Sequence, residues 1–109
     1  MAGRRPRPDG VVIYSPLAAQ DYSDIHDYTA GAWGYDQAER YCDHLDKAAS
    51  LAALNSHLGK PLQVTTEARA RYVKWPKARY GHYIIYLPMI EGIYVLRILH
   101  AAMDPSNYL

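Results

Sequence analysis

Arg97, His100 and Asp104 follow one another as an apolar, β-forming run, Ile93-Tyr94-Val95-Leu96, comes to its end. Ionisable groups at the margin of a buried strand can do chemistry at little cost to a core. Imidazole serves as general acid or base near neutral pH, and guanidinium holds phosphate in a bidentate fork. With Arg71 and Arg79 as further phosphate ligands, and Tyr108 near the end, the set fits metal-free RNA cleavage. That reaction needs a base for the 2′-hydroxyl, an acid for the leaving 5′-oxygen and cations for the phosphorane. The set is thin, however. After His100 the chain reads Ala101-Ala102-Met103, with no cation to hold phosphate, and the second helix carries Lys47 but no basic cluster. Arg97 within an apolar strand is expected to pair with a carboxylate such as Asp104, and His100 to make a hydrogen bond at a sheet edge. Strand alternation puts Arg97 and His100 on opposite faces unless a bulge intervenes. The balance is against a ribonuclease, and no catalytic residue is assigned.

Other chemistries find no support. His26, His44, His57, His82 and His100 show no metal-ligand spacing with Cys42 or with a carboxylate cluster, so no metal and no cofactor is expected. There is no glycine-rich phosphate loop and no nucleophile elbow. Asp21, Asp24 and Asp27 share a helix face, which reads as a solvated acidic surface. The lone Cys42 permits no internal disulfide and reads as core filler in a reducing compartment. No apolar run approaches the ~20 residues of a membrane span. The arginines at 4, 5 and 7 are followed by no apolar segment, so no signal peptide is expected. The expectation is a cytoplasmic protein with no membrane contact.

A formal net charge of +1 hides an asymmetry. Residues 15–46 carry seven carboxylates against one arginine, and residues 69–100 carry six cations against one carboxylate. The basic half suits nucleic acid or an acidic partner segment. Lys74, Lys77 and Arg79 cluster around Pro76. No recognition helix and no aromatic-basic stripe is legible, so direct sequence-specific DNA binding is not expected.

These groups must be positioned by a short list of elements. Residues 1–10 are rich in Arg, Pro and Gly and read as a disordered tail, leaving 11–109 as one domain. Val11-Val12-Ile13-Tyr14 is a strand. Ser15-Pro16 is an N-cap followed by proline at the first helical position. The first helix spans Pro16–Trp33 with an apolar stripe of Ala18, Tyr22, Ile25 and either Tyr28 or Thr29; Gly34 ends it. Asp36 and Glu39 form a capping-box pattern for a second helix over 37–54, whose stripe is Ala38, Tyr41, Cys42, Leu45, Ala48, Ala49 and Ala52. Residues 55–66 read as loop. Strands follow at 71–75, 82–87 and 93–99, the last two joined by a five-residue connection, and the continuous apolarity of the last predicts an internal position. The fold class is α+β, in the order β-α-α-β-β-β, with an antiparallel helical hairpin on one sheet face. No spare element covers the other face, which is therefore where partners are expected to bind.

The chain resembles the ParE branch of the RelE/ParE superfamily. The opening strand with Ser15-Pro16-x-Ala18, then Tyr28-Thr29, Trp33-Gly34, Gln37-Ala38-x-Arg40-Tyr41 and Leu45, resembles the family's start and helical hairpin. Leu58-Gly59-Lys60-Pro61, Arg71, Gly81-His82-Tyr83-Ile84-Ile85-Tyr86 and Arg97-Ile98-Leu99-His100-x-x-Met103-Asp104 continue it to the C-terminus. The resemblance implies a RelE/ParE-like fold and the toxin of a type II toxin–antitoxin system. It implies a ParD-like antitoxin as partner, in a hetero-oligomer, and inhibition of DNA gyrase by stabilising the cleaved gyrase–DNA complex. The alternative it carries is RelE-like cleavage of mRNA on the ribosome, which would use His100, Arg97, Arg79 and Arg71. Residues expected to meet target or antitoxin are Arg71, Lys74, Lys77, Arg79, His82, Tyr83, Arg97, His100 and Met103.

Overall fold

Ser15 ends the first strand and starts the first helix. Its Oγ accepts the N–H of Ala18 at 2.9 Å, capping an orphan donor, while Pro16 opens the helix where a missing N–H costs nothing. In the computed structural model, which describes residues 10–62 and 65–108, the elements are β1 (Val11–Tyr14), α1 (Pro16–Trp33), α2 (Tyr35–Leu54), β2 (Lys60–Leu62), β3 (Thr65–Val73), β4 (His82–Met89) and β5 (Gly92–His100). A single 3₁₀ turn, Pro105–Asn107, follows. The expected tail lies outside the described residues except for Gly10.

The five strands form one sheet in the order β1-β5-β4-β3-β2, with β1 parallel to β5 and the other pairs antiparallel. The α+β class and the helical hairpin are as expected, and β5 is internal. One strand more is present than the sequence predicted. Residues 55–66 were expected to be loop, but β2 pairs with the far edge of β3, and β3 begins at Thr65 rather than near 71. The β2 segment Lys-Pro-Leu has too little apolar alternation to be read as a strand, and its proline is tolerated because β2 is an edge. The β4–β5 connection is also tighter than expected: β4 runs through Pro88 to Met89, leaving only Ile90 and Glu91 to turn. Pro88 fits there because β3 pairs only as far as Tyr86.

The helical hairpin turns at Gly34, whose φ of 98° an L side chain rarely adopts. The expected capping box does not form. α2 starts at Tyr35, so Asp36 lies inside the first turn and not at the cap. Glu39 instead meets His26 of α1 at 2.7 Å. The predicted α2 stripe is the buried one: Ala38, Tyr41, Cys42, Leu45, Ala48, Ala49 and Ala52. On α1 the stripe resolves to Thr29, because Tyr28 is 75% exposed.

Two apolar clusters straddle the sheet. The helix-side core joins Ala18, Tyr41, Leu45 and the α2 alanines to Val73, Ile84, Tyr86, Ile93, Val95 and Ile98. The opposite face gathers Ala68, Ile85 and Leu99, with Leu62, Ala70, Tyr83, Leu87, Leu96 and Met103 against them and no helical residue.

Tyr86 ties the α2–β2 loop to the core. Its hydroxyl accepts the N–H of Gly59 at 2.9 Å and donates to Ser56 O at 2.7 Å. A Cβ on Gly59 would come within 2.6 Å of that hydroxyl, so only glycine fits. Tyr86→Phe leaves the Gly59 N–H buried without an acceptor. We expect it to lower the unfolding free energy by about 1–3 kcal/mol, read from the urea midpoint; an unchanged midpoint would show that the loop is held by other means.

Candidate functional site

The predicted site residues fall on two sides of the molecule. A cleft of about 1150 Å³ opens between α1, the start of α2, the β3–β4 loop and the end of β5. Lys77, Arg79, His82, Arg97, His100 and Met103 all border it. A second groove of about 730 Å³ lies against the helix-free face of the sheet. Arg71 and Tyr83 border that one, with Met103 shared between the two. Lys74 borders neither: its Nζ lies 2.9 Å from Ala78 O and 3.4 Å from the carbonyls of Trp75 and Pro76, so it staples the β3–β4 loop.

Arg97 pairs with Asp21 of α1, and not with Asp104 as the sequence suggested. Nε and Nη2 reach the two carboxylate oxygens at 2.8 and 2.9 Å, and Oδ2 also accepts the backbone N–H of Ile98 at 3.0 Å. The reason is topological. β1 accompanies β5 only over Gly92–Val95, so the next stretch of β5 has a free edge, and α1 lies along it. The register keeps Arg97 and His100 on opposite faces, as strand alternation predicts: Arg97 lies opposite Ile85 of the helix-free cluster and His100 opposite His82, and the register shift precedes Arg97. Arg97 nevertheless borders the cleft by way of that free edge. Its guanidinium also sits 5.8 Å from the Tyr108 ring. The pair holds Arg97 firmly charged, through its hydrogen bond to Asp21.

The floor of the cleft is a closed set of rings. Tyr41 donates its hydroxyl hydrogen to His82 Nδ1 at 2.6 Å. Burial raises the Tyr41 phenol well above its ordinary value. Burial, with His100 beside it, pushes His82 down to about 4. Tyr41 is therefore the donor and His82 a neutral acceptor at neutral pH. His100 packs edge-on against His82 with centroids 5.4 Å apart, and its Nδ1 accepts the N–H of Ala102 at 3.0 Å. Trp75 contacts both Tyr41 and His44 edge-on, and His44 Nε2 donates to Lys74 O at 3.0 Å.

Several of the cleft's ionisable groups are already engaged. Arg97 is paired in bidentate fashion with a carboxylate, and His82 is buried and neutral. The other imidazole has its Nδ1 committed to the backbone. Arg79, over the ring of Tyr80 at 5.5 Å, and Lys77 are the open cations. Arg71 Nε is buried and has no hydrogen-bond partner among the described residues; Arg71 pairs with Ile84 and lies two residues before Val73, so its side chain starts from the helix side of the sheet although the residue borders the second groove. Sequence reasoning missed the aromatic lining of the cleft, because Tyr28, Trp33, Tyr41, Trp75 and Tyr80 come from three separate segments, α1, α2 and the β3–β4 loop. Among the described residues no group of three or more His, Cys, Asp or Glu is placed to hold a metal ion, and no helix is long and apolar enough to cross a membrane.

Two outcomes follow from this geometry. Asp21→Ala strands a largely buried guanidinium and the Ile98 N–H, and should cost about 3 kcal/mol in chemical denaturation. His82 is neutral in the fold with a pKa of about 4, below the ordinary 6.5 of the unfolded chain. The unfolded state thus takes up the proton first. The His82 contribution is complete above pH ~6.5 and is lost as pH falls towards 4. With part of the ring near water, the loss is on the order of 2 kcal/mol. His82→Gln should flatten that acid limb in denaturation curves taken at several pH values.

A family model described as "ParE toxin of type II toxin-antitoxin system, parDE" matches residues 12–105. Two curated relatives, both called Toxin ParE1 and from the CDC 1551 and H37Rv strains of Mycobacterium tuberculosis, are 37% identical over 98 residues. The match covers 89% of this chain and 95% of each relative. A solved chain titled "Chromosomal ParDE TA system from P. aeruginosa" superposes with a TM-score of 0.67 at 18% identity, covering 82% of this chain and 92% of that one, a likeness of fold.

Proposed function

The chain belongs to the ParE toxin family of type II toxin–antitoxin systems, and on that premise we propose that it arrests growth as a contact inhibitor of DNA gyrase. It acts in the cytoplasm by stabilising the cleaved gyrase–DNA complex, and a ParD-like antitoxin neutralises it in a hetero-oligomer. The observation that carries this reading over mRNA cleavage is the bidentate closure of Arg97 on Asp21. An arginine whose charge is already paired with a carboxylate has less to offer a phosphorane. With His82 neutral and bonded to Tyr41, the remaining hardware is one imidazole and two flexible cations.

The antitoxin is assigned to the groove on the helix-free face. Leu58, Leu62, Tyr83 and Met103 offer an apolar surface there. Lys60 and Arg71 border the same groove and offer cations to a carboxylate. An acidic-apolar segment that orders on binding satisfies both at once.

Purified toxin incubated with gyrase, ATP and supercoiled plasmid should yield linear DNA after denaturation and proteolysis, and the antitoxin should abolish it. His100→Ala should leave that yield within about twofold. Absence of linear DNA, together with mRNA cleavage that His100→Ala destroys, would replace this reading with the ribonuclease one. Arg71→Ala should weaken antitoxin binding about tenfold or more, through the loss of a charge-assisted bond, measured by calorimetry, without reducing the gyrase effect.

A further inference from the structure

We propose that the cleft between the helical hairpin and the β3–β4 loop binds single-stranded nucleic acid, stacking nucleobases on its aromatic walls and holding phosphates at Lys77 and Arg79. Tyr28 and Trp33 line it from α1, and Trp75 and Tyr80 from the β3–β4 loop. Tyr28 and Trp33 are 75% and 74% exposed, which is costly for rings of that size unless they meet a partner. Stacking platforms combined with a basic track are how single strands are gripped without reading sequence. A volume of about 1150 Å³ exceeds the ~300–1,000 Å³ of small-molecule pockets and suits a short run of nucleotides.

The electrostatics favour the same occupant. Lys77 and Arg79 make no ion pair among the described residues, and Arg79 is already laid over Tyr80, coupling a cation to a ring. Of the two carboxylates that border the cleft, Asp21 is paired with Arg97, and Asp24 accepts a hydrogen bond from the neutral Gln20 amide at 2.8 Å and keeps its charge. Lys77, Arg79 and Arg97 outnumber them, so the lining is positive by one charge. The proposal stands apart from gyrase, since it concerns binding by the toxin alone.

The chain's two tryptophans, Trp33 and Trp75, both line the cleft, so intrinsic fluorescence reports occupancy directly. The full chain is titrated at low salt with a ten-nucleotide oligothymidylate, its ribo counterpart, a duplex of equal length and heparin. The expected result is saturable quenching by the single strands, with apparent affinity falling as salt rises at about −0.7 in log–log slope per phosphate contact. The duplex and heparin should quench weakly. A difference between the DNA and RNA arms identifies which strand is the natural one, and equal affinities show stacking alone; either supports the proposal. Trp33→Ala, an exposed position, should weaken binding roughly tenfold as read by Trp75. The pair Lys77→Glu and Arg79→Glu should abolish binding while circular dichroism stays unchanged. No quenching by either single strand, equal binding of heparin, or undiminished binding by the charge-reversed chain would overturn the proposal and leave the cleft to a protein partner.

Discussion

β5 outruns its neighbour, and the fold is arranged around that mismatch. β1 hydrogen-bonds β5 only over Gly92–Val95. Past that point the strand would present unpaired backbone groups in a mostly dry place, at about 1–3 kcal/mol each. Helix α1 takes over where β1 stops. The Ser15 N–H donates to Val95 O at 2.9 Å, the Ser15 hydroxyl donates to Leu96 O at 2.7 Å, and Asp21 accepts the Ile98 N–H. Ser15 thus caps its own helix and extends the sheet with the same oxygen. Once Ser15 and Asp21 are fixed to β5, the direction of α1 is set, and with it the hairpin and the cleft beneath. Arg97 is drawn into the arrangement because Asp21 would otherwise be a half-buried charge without a counter-ion.

That constraint also separates stability from chemistry. A side chain that looks catalytic in the sequence is consumed in holding α1 to the sheet. What is left over for partners is peripheral: two cations on a loop and exposed rings near the hairpin turn. With helices on one face only, the sheet leaves two accessible surfaces, the groove on its helix-free face and the cleft beside the helical hairpin.

Much of this was legible from local rules. The α2 stripe needs only the helical period, and the N-terminus of α1 needs only Ser-Pro. The internal position of β5 follows from an uninterrupted apolar run. What escaped was non-local. Asp104 lies seven residues from Arg97 and Asp21 lies 76 away, yet proximity in sequence says little when one candidate sits in a tail and the other on a helix crossing the strand edge. β2 escaped because its pairing depends on a neighbour already in place, not on its own three residues. The capping box failed because Gly34 alone can make the hairpin turn, which starts α2 before Asp36 can cap it.

The absence of phenylalanine, which as composition alone could be drift, has a structural use. Four of the seven residues in α2's buried stripe are alanine, so the helix comes close to the sheet but buries little area there. Phenol hydroxyls cross-link what apolar packing leaves slack. Tyr14 of β1 and Tyr22 of α1 close on the two oxygens of Asp46 of α2 at 2.7 and 2.8 Å, joining three elements at one carboxylate. Burial and that carboxylate both raise the two phenols, so they remain donors across the physiological range. Tyr41 does the same between α2 and His82, and Tyr86 between β4 and the α2–β2 loop. A phenylalanine at any of these positions would keep the ring and lose the direction. Because a hydrogen bond fixes angle as well as distance, the tyrosines make a small core rigid enough to hold His82, His100 and Trp75 as a fixed floor, against which the exposed rings of α1 can close on a partner.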